Sequence, residues 1–439
     1  MFAPKNSELE GFRNRKWFRV LCGAGLGLAA LILTAGAVGL FLYDQYFYST
    51  PTELYHRTWD MAQRQIFEPK DLKDWQQWEH KFDDKIVTND DAVKHANEML
   101  KSLNDRYTML LSAEQTKDER RQMDGKFIGI GVVLDFQVDS KGEPVVTNGK
   151  PVPNANAAGH PLIRSVMENS PAAEVGIKAG DAIKSAGGHD TSGLPIDEVI
   201  GHIRGPEGQA VKIIVTRDGK DIEVEIVRKA VSQPAVEAKM LDNGIGYLRL
   251  NTFAEHKNHD EVVAGLKKLE SAKGIVFDLR NNGGGFVHHA ISISSLFVEK
   301  GSVVVIKQRS GGDINNPVYT TNSFRVEGAT MYSETSSSDK PESVSSKESK
   351  RAPYMIAGRP VVILINGHSA SASEMVTGAI RDNNAAVVIG ERSFGKGIGQ
   401  SIIPMPNGTM MHITSLRYYT PNGTWLGDGG NSVNQGIEP

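Results

Sequence analysis

Residues 360–400 read PVVILINGHSASASEMVTGAIRDNNAAVVIGERSFGKGIGQ, and no other stretch of the chain restricts its fold so tightly. Residues 361–365 form an apolar run of strand length, ended by Asn366-Gly367. Ser369, Ser371 and Ser373 then alternate with alanines while a helical pattern begins. Ser371-Ala-Ser-Glu374 fits a capping box, in which a serine caps the helix and a glutamate three residues on reaches back to it. A second apolar strand, residues 386–390, leads to Gly395-Lys396-Gly397. Ser371 is the candidate nucleophile, and Lys396 is its candidate base.

The amino terminus sets the address. Arg13, Arg15, Lys16 and Arg19 precede an uncharged stretch, residues 20–43. At about 1.5 Å per residue that stretch covers roughly 36 Å, more than a hydrocarbon core of about 30 Å. The basic flank predicts a cytoplasmic N-terminus and an extracytoplasmic remainder, periplasmic or at the cell surface. Ala35-Gly36-Ala37 resembles a cleavage site, but the apolar run continues to Tyr43, which favours an uncleaved anchor in the lipid bilayer. The single cysteine, Cys22, rules out an intrachain disulfide, and a net charge of −3 spread along the chain gives no sign of nucleic-acid binding.

Residues 51–122 are charged and helix-prone, with Leu100, Leu103, Tyr107 and Leu110 at helical spacing. They read as a helical spacer. From Gly125 the character changes. Phe127, Ile128, Gly129, Ile130 and Gly131 open a glycine-punctuated strand, and a long Pro/Gly/Asn-rich loop covers residues 138–160. Ser170-Pro171-Ala172-Ala173 and Gly176-Ile177-Lys-Ala-Gly180-Asp181 follow as a short helix and a turn. Arg204-Gly205-Pro206-Glu-Gly208 then leads into two alternating strands. These residues resemble a PDZ domain of the bacterial protease type. The resemblance implies that a peptide tail adds as a strand to the sheet edge, with residues 127–131 holding its terminal carboxylate.

Residues 244–279 give strand, helix and strand, which suggests a βαβ crossover and an α/β layer. The last strand ends in Arg280-Asn-Asn-Gly-Gly-Gly285. A triple glycine lets backbone approach closely and leaves N–H groups for a developing oxyanion, whereas a P-loop would need the lysine and hydroxyl that are absent here. Residues 311–351 end in SETSSSDKPESVSSKESKR, too polar to support a core, and read as a flexible insertion. No HExxH or similar metal spacing occurs, and no cofactor is expected.

A serine hydroxyl needs a base. His368 sits three residues before Ser371 in a tight turn, an awkward geometry for that role. A lysine serves when neutral, so a reference pKa of about 10.4 must fall, as burial without a carboxylate partner achieves. Lys396 lies between glycines, with Phe394 and Ile398 on either side.

The serine-to-lysine stretch is similar to the core signature of the carboxy-terminal processing (tail-specific) serine proteases. LNDRYTMLL from Leu103, the PDZ-like region, Ile203-Arg-Gly-Pro-Glu-Gly208 and VFDLRNNGGG from Val276 support the resemblance in the family's order. It implies a Ser371–Lys396 dyad, with Gln400 orienting the lysine. It also implies oxyanion donors at Ala372, Gly283 and Gly284, and Arg204 as a residue coupling the PDZ domain to the site. The family usually has proline where Gly283 stands. Asp382 matches an acidic family position, but about 16 Å of helix would separate it from Ser371, so it is read as structural.

The expected architecture is therefore a multidomain α+β protein. Residues 1–48 hold the transmembrane helix, 49–124 a helical segment and 125–232 the PDZ-like β domain. Residues 233–439 form an α/β protease core of the ClpP/crotonase-like kind, interrupted at about 311–351. The expected activity is endoproteolysis near accessible protein C-termini, with room for a homo-oligomer or an activating adaptor. A catalytically silent PDZ scaffold is the alternative, and the intact Ser371, Lys396 and Gln400 argue against it. An acyl-CoA-type lyase fits poorly with a PDZ-like module.

Overall fold

The computed structural model describes residues 48–123, 127–134, 137, 146–147, 150–231, 234–429 and 435–439. The expected membrane span, residues 20–43, lies outside them, and among the described residues no helix is long and apolar enough to cross a membrane. The chain divides into two compact units.

The first unit takes residues up to 116 together with residues 401–413, a segment assigned on sequence to the protease core. Helix α1 (Pro51–Gln65) starts at Thr50, whose hydroxyl accepts from the Glu53 N–H while Glu53 accepts from the Thr50 N–H. Helix α2 (Asn89–Lys101) repeats this capping with Thr88 and Asp91. Such caps satisfy N–H groups that have no intrahelical acceptor. Leu54, Trp59, Met99 and Leu110 form the core with Met411 and Ile413. Trp59 and Trp75 each donate an indole N–H to the other's carbonyl (3.1 and 3.3 Å). The helical spacing of residues 100–110 overshoots. α2 stops at Lys101, Asn104 turns back with φ 52°, and Leu110 lies on the strand Met109–Leu111.

The second unit holds the PDZ-like region and the α/β core. Strand β1 (Ala182–Ala186) pairs with β2 (Ala210–Arg217), which pairs with β3 (Lys220–Val227); helix α3 (Ile196–Ile203) lies between β1 and β2 in sequence. The β2–β3 hairpin turns through Asp218 and Gly219, both at positive φ, as a tight two-residue hairpin demands. Ile130, Ile183, Val199 and Ile213 are buried together in its core.

The central sheet runs in the order β4 (Val236–Met240), β5 (Gly246–Leu250), β6 (Ile275–Asp278), β11 (Val361–Ile365), β12 (Val387–Gly390). Only the β4–β5 pair is antiparallel. Helix α4 (Asn258–Lys268) joins β5 to β6, and helix α6 (Ala372–Asp382) joins β11 to β12, so both are crossovers between parallel strands. Helix α5 (Val287–Phe297) packs against α4 and α6. Burying Phe277, Ile363, Leu296 and Val376 in one cluster welds sheet to helices, at about 1.5–3 kcal/mol for each side chain fully buried.

A second sheet contains β7 (Lys300–Gly312), β8 (Pro317–Glu327), β9 (Thr330–Ser337) and β10 (Lys340–Lys350), joined in sequence as antiparallel neighbours. The flexible insertion read at about 311–351 is therefore corrected: most of it is strand. It escapes the usual signal because every β10 residue is exposed. Ladder hydrogen bonds and polar cross-strand contacts hold it, among them the Arg325 guanidinium 3.8 Å over the Tyr332 ring. The last long strands of the chain are β13 (Ile398–Pro404) and β14 (Met410–Tyr419), both of which include residues of the 401–413 segment; the carboxy-terminal half of β14 pairs with β7.

Candidate active site

The three serines of the Ser/Ala run separate by burial. Ser369 and Ser373 are fully buried, and their hydroxyls donate to Leu279 O (2.9 Å) and Asn282 O (2.8 Å). Both thereby tie the serine loop to the glycine turn that follows β6. Ser371 is only half-buried. It ends the β11–α6 loop at φ 56° and ψ −113°, a conformation L-residues rarely adopt. A strand-to-helix turn with a residue at positive φ is the backbone geometry of a nucleophile elbow.

The glycine turn touches that loop. At Gly284 (φ 98°) an added Cβ would lie 2.7 Å from Ala370 O and 2.9 Å from both Ala372 N and Ser371 Cβ. Only glycine fits there. Gly283 faces open space, with nothing within 4 Å of an added Cβ, so the site tolerates a larger residue where the family usually has proline. Ala372 is the first residue of α6, and its N–H has no acceptor within the helix. The Gly284 N–H donates to Asn282 Oδ1 (2.9 Å) in a local side-chain turn.

Lys396 is half-buried and forms a β-bridge with Asp428. Its Nζ donates to Gln400 Oε1 (3.1 Å), and Gln400 Nε2 donates to Thr414 Oγ1 (3.0 Å), which fixes the amide with its oxygen towards the lysine. Lys396 and Gln400 are thus brought together as the resemblance implied.

Two further side chains join serine and lysine through their backbones. Glu374 is fully buried on α6. Its Oε2 accepts from the Ser371 N–H and the Lys396 N–H (both 2.8 Å), and its Oε1 accepts from Ser393 Oγ and the Gly395 N–H (both 2.6 Å). Burial pushes this carboxyl up, and the donors from Ser393, Lys396, Gly395 and Ser371 work against that rise. Four donors fill the four lone-pair positions of a carboxylate, so the cage is built for the anion. Tyr418, on β14, places its hydroxyl within reach of Ser371 O (2.9 Å) and of Lys396 O. Burial pushes the Tyr418 phenol far up, with the Glu374 charge adding to it, so it stays a donor. The capping pattern had pointed to Glu374 in half of this role; nothing in the sequence pointed to Tyr418.

The remaining expected site residues lie elsewhere. Asp382 accepts from the Asn422 N–H (3.1 Å) and from Arg381 (2.9 Å), holding the far end of α6. In the PDZ-like region, Phe127–Gly129 pairs with Lys229–Val231, Ile128 is half-buried and Ile130 is buried in the core. Gly131, at φ 80°, lies so close to Ser170 that a Cβ would sit 2.2 Å from the serine Cβ. Arg204 is exposed just after α3. The buried guanidinium nearby belongs to Arg228, which sequence reasoning missed; it donates to Ile203 O (2.7 Å) and Ala210 O (3.2 Å) and braces the Gly205 turn.

Residues 244–439 match peptidase family S41, and residues 162–217 match the PDZ domain. The chain is 32% identical over 352 residues to a carboxy-terminal-processing protease of Bartonella bacilliformis, covering 78% of this chain and 67% of that one. This chain belongs to peptidase family S41. A probable CtpA-like serine protease of Staphylococcus haemolyticus is 30% identical over 342 residues, 78% of this chain and 58% of its own length. Among solved structures, a photosystem II D1 C-terminal processing protease shares the fold with a TM-score of 0.52 at 20% identity, over 89% of this chain and 92% of that one. The S41 membership and the PDZ domain agree with the family read from the sequence.

Proposed function

We propose that this S41 peptidase is a serine endopeptidase that works through a Ser371–Lys396 dyad and cuts near the carboxyl termini of protein substrates. The observation that carries the dyad is the double tether. One carboxylate, Glu374, binds the backbone N–H of both residues, and one hydroxyl, Tyr418, reaches the carbonyl of both. A fold with no use for serine and lysine together has no reason to fix them against the same two side chains.

In this reading Lys396 Nζ accepts the Ser371 hydroxyl proton as Oγ bonds to the scissile carbonyl carbon. Negative charge moves to the carbonyl oxygen, where the Ala372 N–H and an N–H of the Gly283–Gly284 turn stabilise it. The Gly284 N–H contributes only when it is shared with, or released from, Asn282. The tetrahedral species collapses, the C–N bond breaks, and Lys396 returns its proton to the leaving amine. Water then repeats the sequence on the acyl-serine and frees the new carboxyl terminus. Gln400, being neutral, positions the lysine without adding a charge that would favour its protonated form.

The PDZ domain supplies the choice of tail, with the glycine run at residues 127–131 as the carboxylate-binding loop and Arg204 coupling the domain to the site. Residues 20–43 anchor the chain in a lipid bilayer with the catalytic part outside the cytoplasm. The supports for these two readings are the PDZ domain match and the apolar, positively flanked amino terminus. An unfolded substrate with a free carboxyl terminus is expected to be cleaved at least about tenfold faster than its C-terminally amidated twin, because the amide removes the charge the loop would hold. Equal rates would overturn tail recognition while leaving the dyad intact.

A further inference from the structure

Outside the catalytic region, one group of metal-ligating side chains converges among the described residues: His56 on α1, with His80 and Asp83 on the segment between α1 and α2. The Asp83 carboxylate lies between the two rings. Its Oδ1 is 2.7 Å from His56 Nε2, and its Oδ2 is 2.9 Å from His80 Nδ1. The ring centroids are 4.9 Å apart and nearly perpendicular, at 88°. One ligand atom from each residue falls within 4.8 Å of the other two.

The group is set on a stiff base. The Tyr55 hydroxyl donates to Trp78 O, and Phe82 is buried against the Tyr55 ring at 6.1 Å. The second nitrogen of His80 faces Glu79 Oε1 at 3.9 Å, where a carboxylate can orient a ligating imidazole through its far nitrogen. The His56 and Asp83 side chains are about one-third exposed, so one side stays open to water. Partial burial pushes the Asp83 carboxyl up, but the His56 and His80 hydrogen bonds outweigh it and hold the group below its ordinary range.

We propose that His56, His80 and Asp83 form a binding site for a divalent transition metal of the zinc class, taken by two imidazole nitrogens and one carboxylate oxygen. Nitrogen-rich donor sets of this kind suit zinc, nickel or copper, whereas magnesium and calcium want oxygen cages. Three protein ligands and an open side leave the remaining position to water. The ion takes the place of the ring-nitrogen contacts to Asp83, with each imidazole binding as the neutral tautomer and its proton carried on the other ring nitrogen. It thereby cross-links α1 to a segment 27 residues further on, and its binding energy adds to the stability of that fold. The ligands are too widely spaced in sequence for any short motif to announce them.

The test is calorimetric titration of zinc into the untagged, metal-stripped full chain in detergent, with thermal unfolding followed in parallel. One saturable equivalent is expected with a Kd in the micromolar range or below, together with a rise in Tm of several degrees. His80→Gln, on an exposed side chain, and Asp83→Asn should each weaken binding by about tenfold or more and erase the Tm rise. Circular dichroism of the two variants confirms their fold. Absence of saturable binding up to about 100 µM zinc, a concentration that fills any site of micromolar Kd, would overturn the proposal. So would equal affinity in both variants, which would assign the ion to other histidines.

Discussion

At the scale of single residues, the least replaceable group beside the proposed dyad is Glu374, because its carboxylate holds the backbones of both Ser371 and Lys396. Its four donors need an acceptor at both oxygens. In Glu374→Gln the amide NH2 would face two of those donors, leaving them unpaired in a dry site at a cost of about 1–3 kcal/mol each. The backbones of Ser371 and Lys396 would then drift apart, and a displacement of about 1 Å can cost about 10²-fold. The expected outcome is a fall in kcat of that order with KM nearly unchanged, measured by steady-state kinetics on a peptide substrate. A loss confined to KM would show that Glu374 acts on binding instead. Ser371, Lys396 and Gln400, the proposed catalytic set, stand out in the sequence because they lie within 30 residues of one another. Tyr418 is not legible. A tyrosine in an apolar strand reads as core, and only the folded chain brings its hydroxyl to two distant carbonyls.

At the scale of elements, two loops are pressed together: the glycine turn after β6 and the serine loop before α6. Their contact fixes which glycine matters. Gly284→Ala places a methyl group within 3 Å of Ala370 O and Ala372 N, in a left-handed backbone region that alanine disfavours. Gly283→Ala meets nothing. The first variant is expected to lose about 10²-fold or more in kcat/KM and the second to stay within a few-fold of the parent. Equal rates for the pair would show that the two loops are not packed this way during turnover. The strands and helices of this layer announce themselves through apolar runs and crossover spacing. β10 does not: its serines, lysines and glutamates are all exposed, so backbone pairing rather than burial makes it a strand, and no periodicity records that.

At the scale of the molecule, the pH response depends on a buried group outside the dyad. Burial pushes the His289 imidazole down to about 4, with His288, His259 and His256 adding to the fall. The unfolded chain then takes up this proton first. The stability it contributes is complete above about 6.5 and is lost as pH falls towards about 4, up to roughly 3 kcal/mol by linkage. Glu255 works the other way. Burial pushes its carboxyl up to about 6, so it adds stability as pH falls from there towards 4.5. The net expectation is a lower urea midpoint at pH 5 than at pH 7.5, with the difference shrinking or reversing in His289→Gln. An unchanged difference in the variant would remove His289 from the explanation. Of the whole-molecule features, the family and its PDZ domain are readable from ordered motifs, whereas the partition of residues 401–413 into the amino-terminal unit depends on long-range packing that no local pattern encodes.

The central claim is that Ser371 and Lys396 act as one catalytic unit, and the cleavage of an unfolded protein substrate, read by mass spectrometry of its products, tests it most directly. Ser371→Ala and Lys396→Ala should each reduce product by about 10³-fold or more, and the double variant should lose little further, because residues that act together are not additive. Circular dichroism and Tm should match the parent in all three. Product formation above a few per cent in either single variant, with its fold intact, would contradict the dyad.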